Sequence, residues 1–336
     1  MEKLSEIKLT VGLVTYNRPE LLKEAIHSVL QQSFTNFELL ISNDYVGSMV
    51  TLDSLGIKHD PRIKIINQES NLGEISNLNY LLEIAQGDWF VWLGDDDLFH
   101  PEFLMLANNA ILDSKNKNIV GFFSNYIAEK SPDGIFPQSL KSSNCLYYDA
   151  PNFLLDFTSR KTKLVGTYGV MQTAVLRNVG GMPLLGNSFG PYSDTLIPIL
   201  LLEHGDLCWL DESLIFFRTH AESQSNKSYE FSAFTSAEVD FLEELKRVSI
   251  SKHVNTITDK VIANMVKWFS EFEWVVLDRN PTLNEYAVTK EYVKYQINVN
   301  IPRLSFKYSM AHVLFMVRFL IKRFIFKGYR LVSTAI

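Results

Sequence analysis

The chain has 336 residues and two cysteines, Cys145 and Cys208. That is too few for a disulfide framework, and neither stands in a metal-ligand spacing. Such scarcity fits a reduced, cytosolic setting. The opening residues Met1-Glu2-Lys3-Leu4-Ser5-Glu6 lack the apolar centre of a signal peptide, so a cytoplasmic location is expected. No internal repeat and no long low-complexity stretch is present. The chain carries no G-x-G-x-x-G after its first strand signal, which argues against a dehydrogenase. It also has no glycine-rich loop with a lysine or arginine near that strand, which argues against a nucleotidyltransferase. A net charge of −6 gives no sign of a nucleic-acid partner.

What the chain does have is alternation. Residues 9–15 read as a buried strand that ends at Tyr16-Asn17. Asn17 is then a candidate cap for a helix with Pro19 in its first turn and an apolar stripe of Leu21, Leu22, Ala25, Ile26, Val29 and Leu30. Strand signals follow at 37–42, 62–66 and 89–93, with a second amphipathic helix (Ile75, Leu78, Leu81, Leu82, Ala85) before the last of them. This order predicts an α/β fold, a mainly parallel sheet flanked by helices. Ligands bind at the carboxyl ends of such strands, where Asp44 and the run Asp95-Asp96-Asp97 fall. Beyond residue 115 the pattern is less regular, with short strands expected at 119–124, 164–170 and 207–210. From about residue 226 it turns helical to the end.

Three adjacent carboxylates repel one another unless a cation compensates. Hard oxygen ligands select Mg²⁺ or Mn²⁺, which commonly bind substrate phosphates through one or two protein carboxylates. The plainer reading is a solvated acidic loop before a helix starting near Pro101, since acids favour helix starts.

The segment Gly87-Asp88-Trp89-Phe90-Val91-Trp92-Leu93-Gly94-Asp95-Asp96-Asp97, followed by Pro101-Glu102-Phe103-Leu104, resembles the aspartate motif of glycosyltransferase family 2. Val11 to Pro19 resembles that family's first strand and turn. Gln31-Gln32-Ser33-Phe34, Phe37-Glu38, and Asn71-Leu72-Gly73 with Asn79 fall in the same order. The resemblance covers roughly residues 8–225 and implies a GT-A fold. Its nucleotide-binding half would span about 1–115 and its acceptor half about 116–225, with residues 226–336 as a helical carboxyl-terminal region. It implies a donor-binding set of Thr15, Tyr16, Asn17, Asp44, Asn79, Asp95 and Arg218, and a metal set of Asp96, Asp97 and His220. A UDP- or dTDP-sugar donor and a saccharide or lipid-linked acceptor would follow, with a product in bacterial surface polysaccharide, O-antigen or capsule.

Two positions depart from the family pattern: Asn43 replaces the first of an acidic pair, and Gly94 the first aspartate of Asp-x-Asp-Asp. A third departure is Ser193, in place of the glutamate before Asp194. Asp194 is the candidate base, since an inverting transfer needs a group to take the acceptor's proton. Its plainer role is to cap the apolar helix 196–202. The segment Arg218-Thr219-His220 resembles the family's closing Arg-x-His. These departures keep open a non-catalytic scaffold that holds a sugar nucleotide.

Residues 303–330 interleave Arg303, Lys307, Arg318, Lys322, Arg323, Lys327 and Arg330 with bulky apolar side chains. No uncharged stretch there approaches the roughly 20 residues that span a bilayer. The pattern suits a helix lying in an anionic membrane interface at the inner face of the cell membrane. The competing role is a helix packed on the protein or on a second copy.

Overall fold

A computed structural model describes residues 7–114, 117–131, 136, 140, 145–187, 190–219, 231–252, 255–278, 292–296, 304 and 308–319. Strand β1 (Leu9–Thr15) lies between β2 (Phe37–Asn43) and β4 (Trp89–Gly94), and β3 (Ile63–Asn67) lies outside β2. All four run parallel, with Thr15 opposite Asn43 and Val14 opposite Gly94. Their carboxyl ends therefore reach one edge together. Helices α1 (Pro19–Leu30) and α2 (Glu74–Ile84) make the crossovers.

The period-2 alternation of β4 sorts its side chains between two cores. Phe90 and Trp92 join α2's Leu78, Leu81 and Leu82, whereas Val91 and Leu93 join α1's Leu22, Ile26 and Val29. With both faces covered, the strand is apolar throughout, as buried parallel strands are. The indole of Trp92 still satisfies its one donor, on the Leu78 carbonyl at 2.9 Å.

Beyond β4 come β5 (Leu98–Phe99), α3 (Phe103–Asp113), β6 (Ile119–Glu129), β7 (Leu146–Tyr148), α4 (Ala150–Thr158), β8 (Val170–Gln172), α5 (Thr173–Asn178), α6 (Ser193–Leu201) and β9 (Asp206–Arg218). The sheet order is β3-β2-β1-β4-β8-β6-β9-β5, with β7 also paired to β9. The short antiparallel β8 joins the first parallel group to the β6–β9 pair, so one sheet serves both halves of the expected division.

Three local expectations are corrected. The strand expected at 164–170 is a 3₁₀ turn at Gly166–Tyr168 followed by β8. Asn17 does not cap α1: it adopts a left-handed φ of 57°, which asparagine tolerates, and Arg18 takes the cap position. Asp194 does not cap α6 either, because the helix already begins at Ser193, behind a left-handed Tyr192.

Helices α7 (Phe231–Ser251) and α8 (Asn255–Asp278) follow. Their Phe241, Leu245, Met265 and Phe269 belong to the same apolar core as Trp92 and Phe123. The described part of the helical region is therefore packed on the sheet rather than standing apart from it.

Candidate active site

The site forms where β1, β2 and β4 end. Asp95 turns back over β1, accepting from the Thr15 hydroxyl at 2.7 Å, the Tyr16 N–H at 3.2 Å and Arg18 Nη1 at 3.2 Å. The same Arg18 nitrogen reaches Asp96 at 3.0 Å. One guanidinium thus bridges two carboxylates that would otherwise repel. Burial pushes the Asp95 carboxyl above its ordinary range, and Asp96 adds to the rise.

Asp97 points the other way, into the protein. Its carboxylate accepts from the Arg218 backbone N–H at 2.7 Å and from the Tyr168 hydroxyl. It is 2% exposed. Burial, then the charge of Asp96, raises its pKa to about 7. Arg218 folds around this loop, with Nε on the Asp96 carbonyl at 2.9 Å and Nη2 on Glu24 at 2.5 Å.

Asp96 is the most solvent-open of the three, its side chain 19% exposed against 6% for Asp95. Among the described residues no three His, Cys, Asp or Glu side chains converge in a ligating group. A cation here would accordingly take one or two carboxylates and complete its shell with phosphate and water, as Mg²⁺ commonly does. The donor set fits that mode, with Asp96 outermost. His220 lies outside the described residues.

Gly94 has a local reason for being glycine. A Cβ there would lie 3.1 Å from both Asp96 Oδ1 and the Tyr168 hydroxyl oxygen. Asn43 is likewise explained by its contacts. Its amide donates to the Tyr45 and Ser48 carbonyls and to Asn67 Oδ1, while its oxygen accepts from the Tyr45 N–H. An aspartate could not make the three donations.

Asp44 is buried, and its two oxygens accept the Leu72 and Gly73 N–H groups at 2.7 and 2.9 Å. It thereby ties the turn before α2 to the end of β2. Tyr16 stands 51% exposed, edge-on to Tyr45 at 5.2 Å, and offers an aromatic face at the mouth. Asn79 is engaged elsewhere: both ends of its amide pair with the backbone of Met182.

Asp194 occupies the first turn of α6, partly buried and 3.3 Å from the Thr195 hydroxyl, with burial raising its pKa. Pro198 lies four residues on and has no N–H for the Asp194 carbonyl. Gly166 packs against that carbonyl oxygen, where a Cβ would approach to 1.7 Å. The 3₁₀ turn that begins there ends at Tyr168, on Asp97. One three-residue turn thus touches both acidic elements. Beside Asp194, Ser193 is 2% exposed and its hydroxyl has no hydrogen-bond partner among the described residues.

Arg18, Glu24, Gly166 and Tyr168 were not singled out by sequence pattern. Arg18 stands inside a motif read for its neighbours, and Tyr168 lies 71 residues from its partner with no periodicity to mark it.

Residues 10–167 match the family model Glycosyl transferase family 2. An uncharacterized glycosyltransferase of Haemophilus influenzae is 24% identical, with 87% of this chain and 92% of that protein aligned. A Rickettsia bellii protein also called an uncharacterized glycosyltransferase is 28% identical, and there the chain spans 22% of the relative's length and 46% of its own. The GalNAc(5)-diNAcBac-PP-undecaprenol beta-1,3-glucosyltransferase of Campylobacter jejuni is 33% identical over 37% of this chain and 39% of its own. Among solved structures, S. aureus TarS 1-349 in complex with UDP-GlcNAc superposes with a TM-score of 0.53 at 16% identity, covering 86% of this chain and 90% of that one. The mannosyltransferase PcManGT from Pyrobaculum calidifontis, in complex with GDP-Man and Mn2+, gives 0.52 at 14% identity over 92% and 87%. At that identity the likeness concerns the fold, which is that of the GT-A glycosyltransferases. The carboxylate cluster at the strand ends and the shared fold agree with the matched domain: residues 10–167, just under half of the chain, match glycosyl transferase family 2.

Proposed function

We propose that the protein is an inverting transferase that moves a sugar from a nucleotide-diphosphate-sugar, a UDP- or dTDP-sugar, to a hydroxyl of a saccharide or lipid-linked acceptor. The observation that carries this reading is the placement of Thr15, Arg18, Asp95, Asp96 and Arg218 around one edge of the parallel sheet. Such an edge is where open α/β sheets receive their ligands. The C. jejuni relative's name contains an undecaprenol-linked saccharide, which favours a lipid-linked acceptor and a role in bacterial surface polysaccharide.

In this reading Tyr16 flanks the nucleobase, while Thr15, Asn17 and Asp44 shape the wall that holds the ribose. Asp44 does so by fixing the 71–73 turn, and Asn79 supports the loop at Met182. Asp96 would hold a Mn²⁺ or Mg²⁺ ion, with Asp97 behind it as a positioning carboxylate. Such an ion would neutralise charge on the departing diphosphate. Arg18, drawn off Asp96, and Arg218 pair with phosphate oxygens, a geometry guanidinium suits. Asp194 takes the proton from the acceptor hydroxyl as that oxygen attacks the anomeric carbon and the bond to the diphosphate breaks. Its raised pKa makes it a better base than an ordinary surface carboxylate.

The test is Asp194→Asn. Transfer should fall by about 10²–10⁴-fold, the usual contribution of a positioned acid or base, while donor affinity stays within twofold. A variant that keeps its turnover would remove Asp194 from the mechanism.

A further inference from the structure

The helix of residues 308–319 is apolar on both sides. Its inner side holds buried Met316 and His312, whose Nε2 lies 2.8 Å from Gln296 Oε1; Ser270 of α8 donates to the same oxygen at 2.9 Å. Lys267 sits over the Phe315 ring at 5.0 Å. These contacts fix which side faces in. The outer side presents Met310, Val313, Leu314 and Val317, 54%, 36%, 56% and 49% exposed. Separations of three (310 to 313, 314 to 317) and four (310 to 314, 313 to 317) place them in one stripe on a single helical face. Four of the eleven exposed large apolar side chains among the described residues are therefore concentrated on twelve residues. A stripe of that kind marks an interaction surface rather than ordinary exposure.

Charge identifies its occupant. From Tyr292 to Ile336 the sequence contains eight Lys or Arg and no Asp or Glu. The other 291 residues hold the remaining 24 cations and all 38 acids, a balance of −14. Arg318, exposed beside Val317, brings this positive charge onto the stripe itself. A second copy docked through the same face would set one cationic tract against another, and like charges oppose such pairing. An anionic bilayer satisfies both features, because each cation near it contributes about 1 kcal/mol and the apolar side chains enter the headgroup boundary. Among the described residues no helix is long and apolar enough to cross a membrane.

We propose that the outer face of helix 308–319 docks on an anionic lipid surface, with Met310, Val313, Leu314 and Val317 as the inserted side chains. The inference deepens the transferase reading, resting on it for the purpose of docking: it would bring the site to a lipid-linked acceptor. Binding itself does not depend on that reading.

The experiment is co-sedimentation of the full-length protein with vesicles of phosphatidylcholine, with and without phosphatidylglycerol. Binding is expected with the anionic vesicles, weakening as salt is added, and falling at least tenfold in a Leu314→Asp, Val317→Asp double variant. A Leu314→Trp variant should show a blue-shifted emission component on the anionic vesicles that the wild type lacks. Slow hydrolysis of donor in solution should be the same in wild type and variants, so loss of docking and loss of catalysis are read separately. Equal binding to neutral vesicles, binding unaffected by the double variant, or no shift from the new indole would each overturn the proposal. So would a dimer in light scattering that the double variant splits, which would assign the face to self-association.

Discussion

Gly166 touches Asp194 backbone to backbone, so closely that a Cβ would lie 1.7 Å from the Asp194 carbonyl oxygen. The contact uses a carbonyl that Pro198 leaves without its helical donor. It also fixes the start of the turn that carries Tyr168 to Asp97. The candidate base and the aspartate loop are therefore set by one piece of backbone. Gly166→Ala should destabilise the fold by about 1–3 kcal/mol, the usual cost of overpacking, and lower turnover together with it. Denaturant unfolding and steady-state rates on the same preparation check this, and a variant that loses neither would show that the turn yields freely.

Asp97 makes the apo protein's stability depend on pH. Its pKa is about 7 in the folded state, above the ~3.9 of an unfolded aspartate. Between those values the native state holds a proton that the unfolded chain has released. Stability is therefore fully retained below the lower value and declines as pH rises through the upper one. Asp95 and Asp194, also raised, act in the same direction. The metal-free protein should melt higher at pH 5.5 than at 7.5, and Asp97→Asn should flatten that difference. A melting temperature that climbs across this range would contradict the buried, proton-holding Asp97.

Arg18 competes with a cation for Asp95 and Asp96. Arg18→Met should tighten Mn²⁺ binding in the absence of donor by about tenfold, equivalent to roughly 1.4 kcal/mol, while weakening the nucleotide-sugar. Calorimetric titration of both ligands checks this. Unchanged Mn²⁺ affinity would mean that the guanidinium does not occupy the cation's place.

Asn43→Asp would restore the acid seen in the family pattern and is predicted to harm this protein. The new carboxylate would face the Tyr45 and Ser48 carbonyls and Asn67 Oδ1 with no proton to give. Position 43 is 2% exposed, and a buried carboxylate set against acceptors without a donor costs about 1–3 kcal/mol. Thermal unfolding should report the loss, and a neutral result would show that the loop of Tyr45 to Ser48 re-pairs.

Much of this site was legible because the parallel sheet is legible. Apolar runs with helical segments between them set β1, β2 and β4 side by side, and Thr15 at the end of β1 had to meet Asp44 and Asp95, just past the ends of β2 and β4, at one edge. What escaped is what depends on separation or on reversed backbone. Tyr168 reaches Asp97 from a 3₁₀ turn within a short apolar stretch that reads as strand, because valine and tyrosine favour strands. Asn17 looked like a cap by residue type, yet the chain reverses there in a left-handed conformation and gives that position to Arg18. Helical periodicity marked the carboxyl-terminal region, but not that α7 and α8 would complete the core around Trp92.

In the transferase reading the strand-end carboxylates receive a nucleotide-sugar together with a divalent cation. Calorimetric titration of UDP- and dTDP-sugars into wild type and Asp96→Ala, with and without Mn²⁺, tests it most directly. At least one donor should bind the wild type far more tightly with Mn²⁺, and Asp96→Ala should lose this gain while unfolding at the same temperature. Donor binding that is indifferent to Mn²⁺ and to Asp96, or no binding by any donor, would contradict that reading.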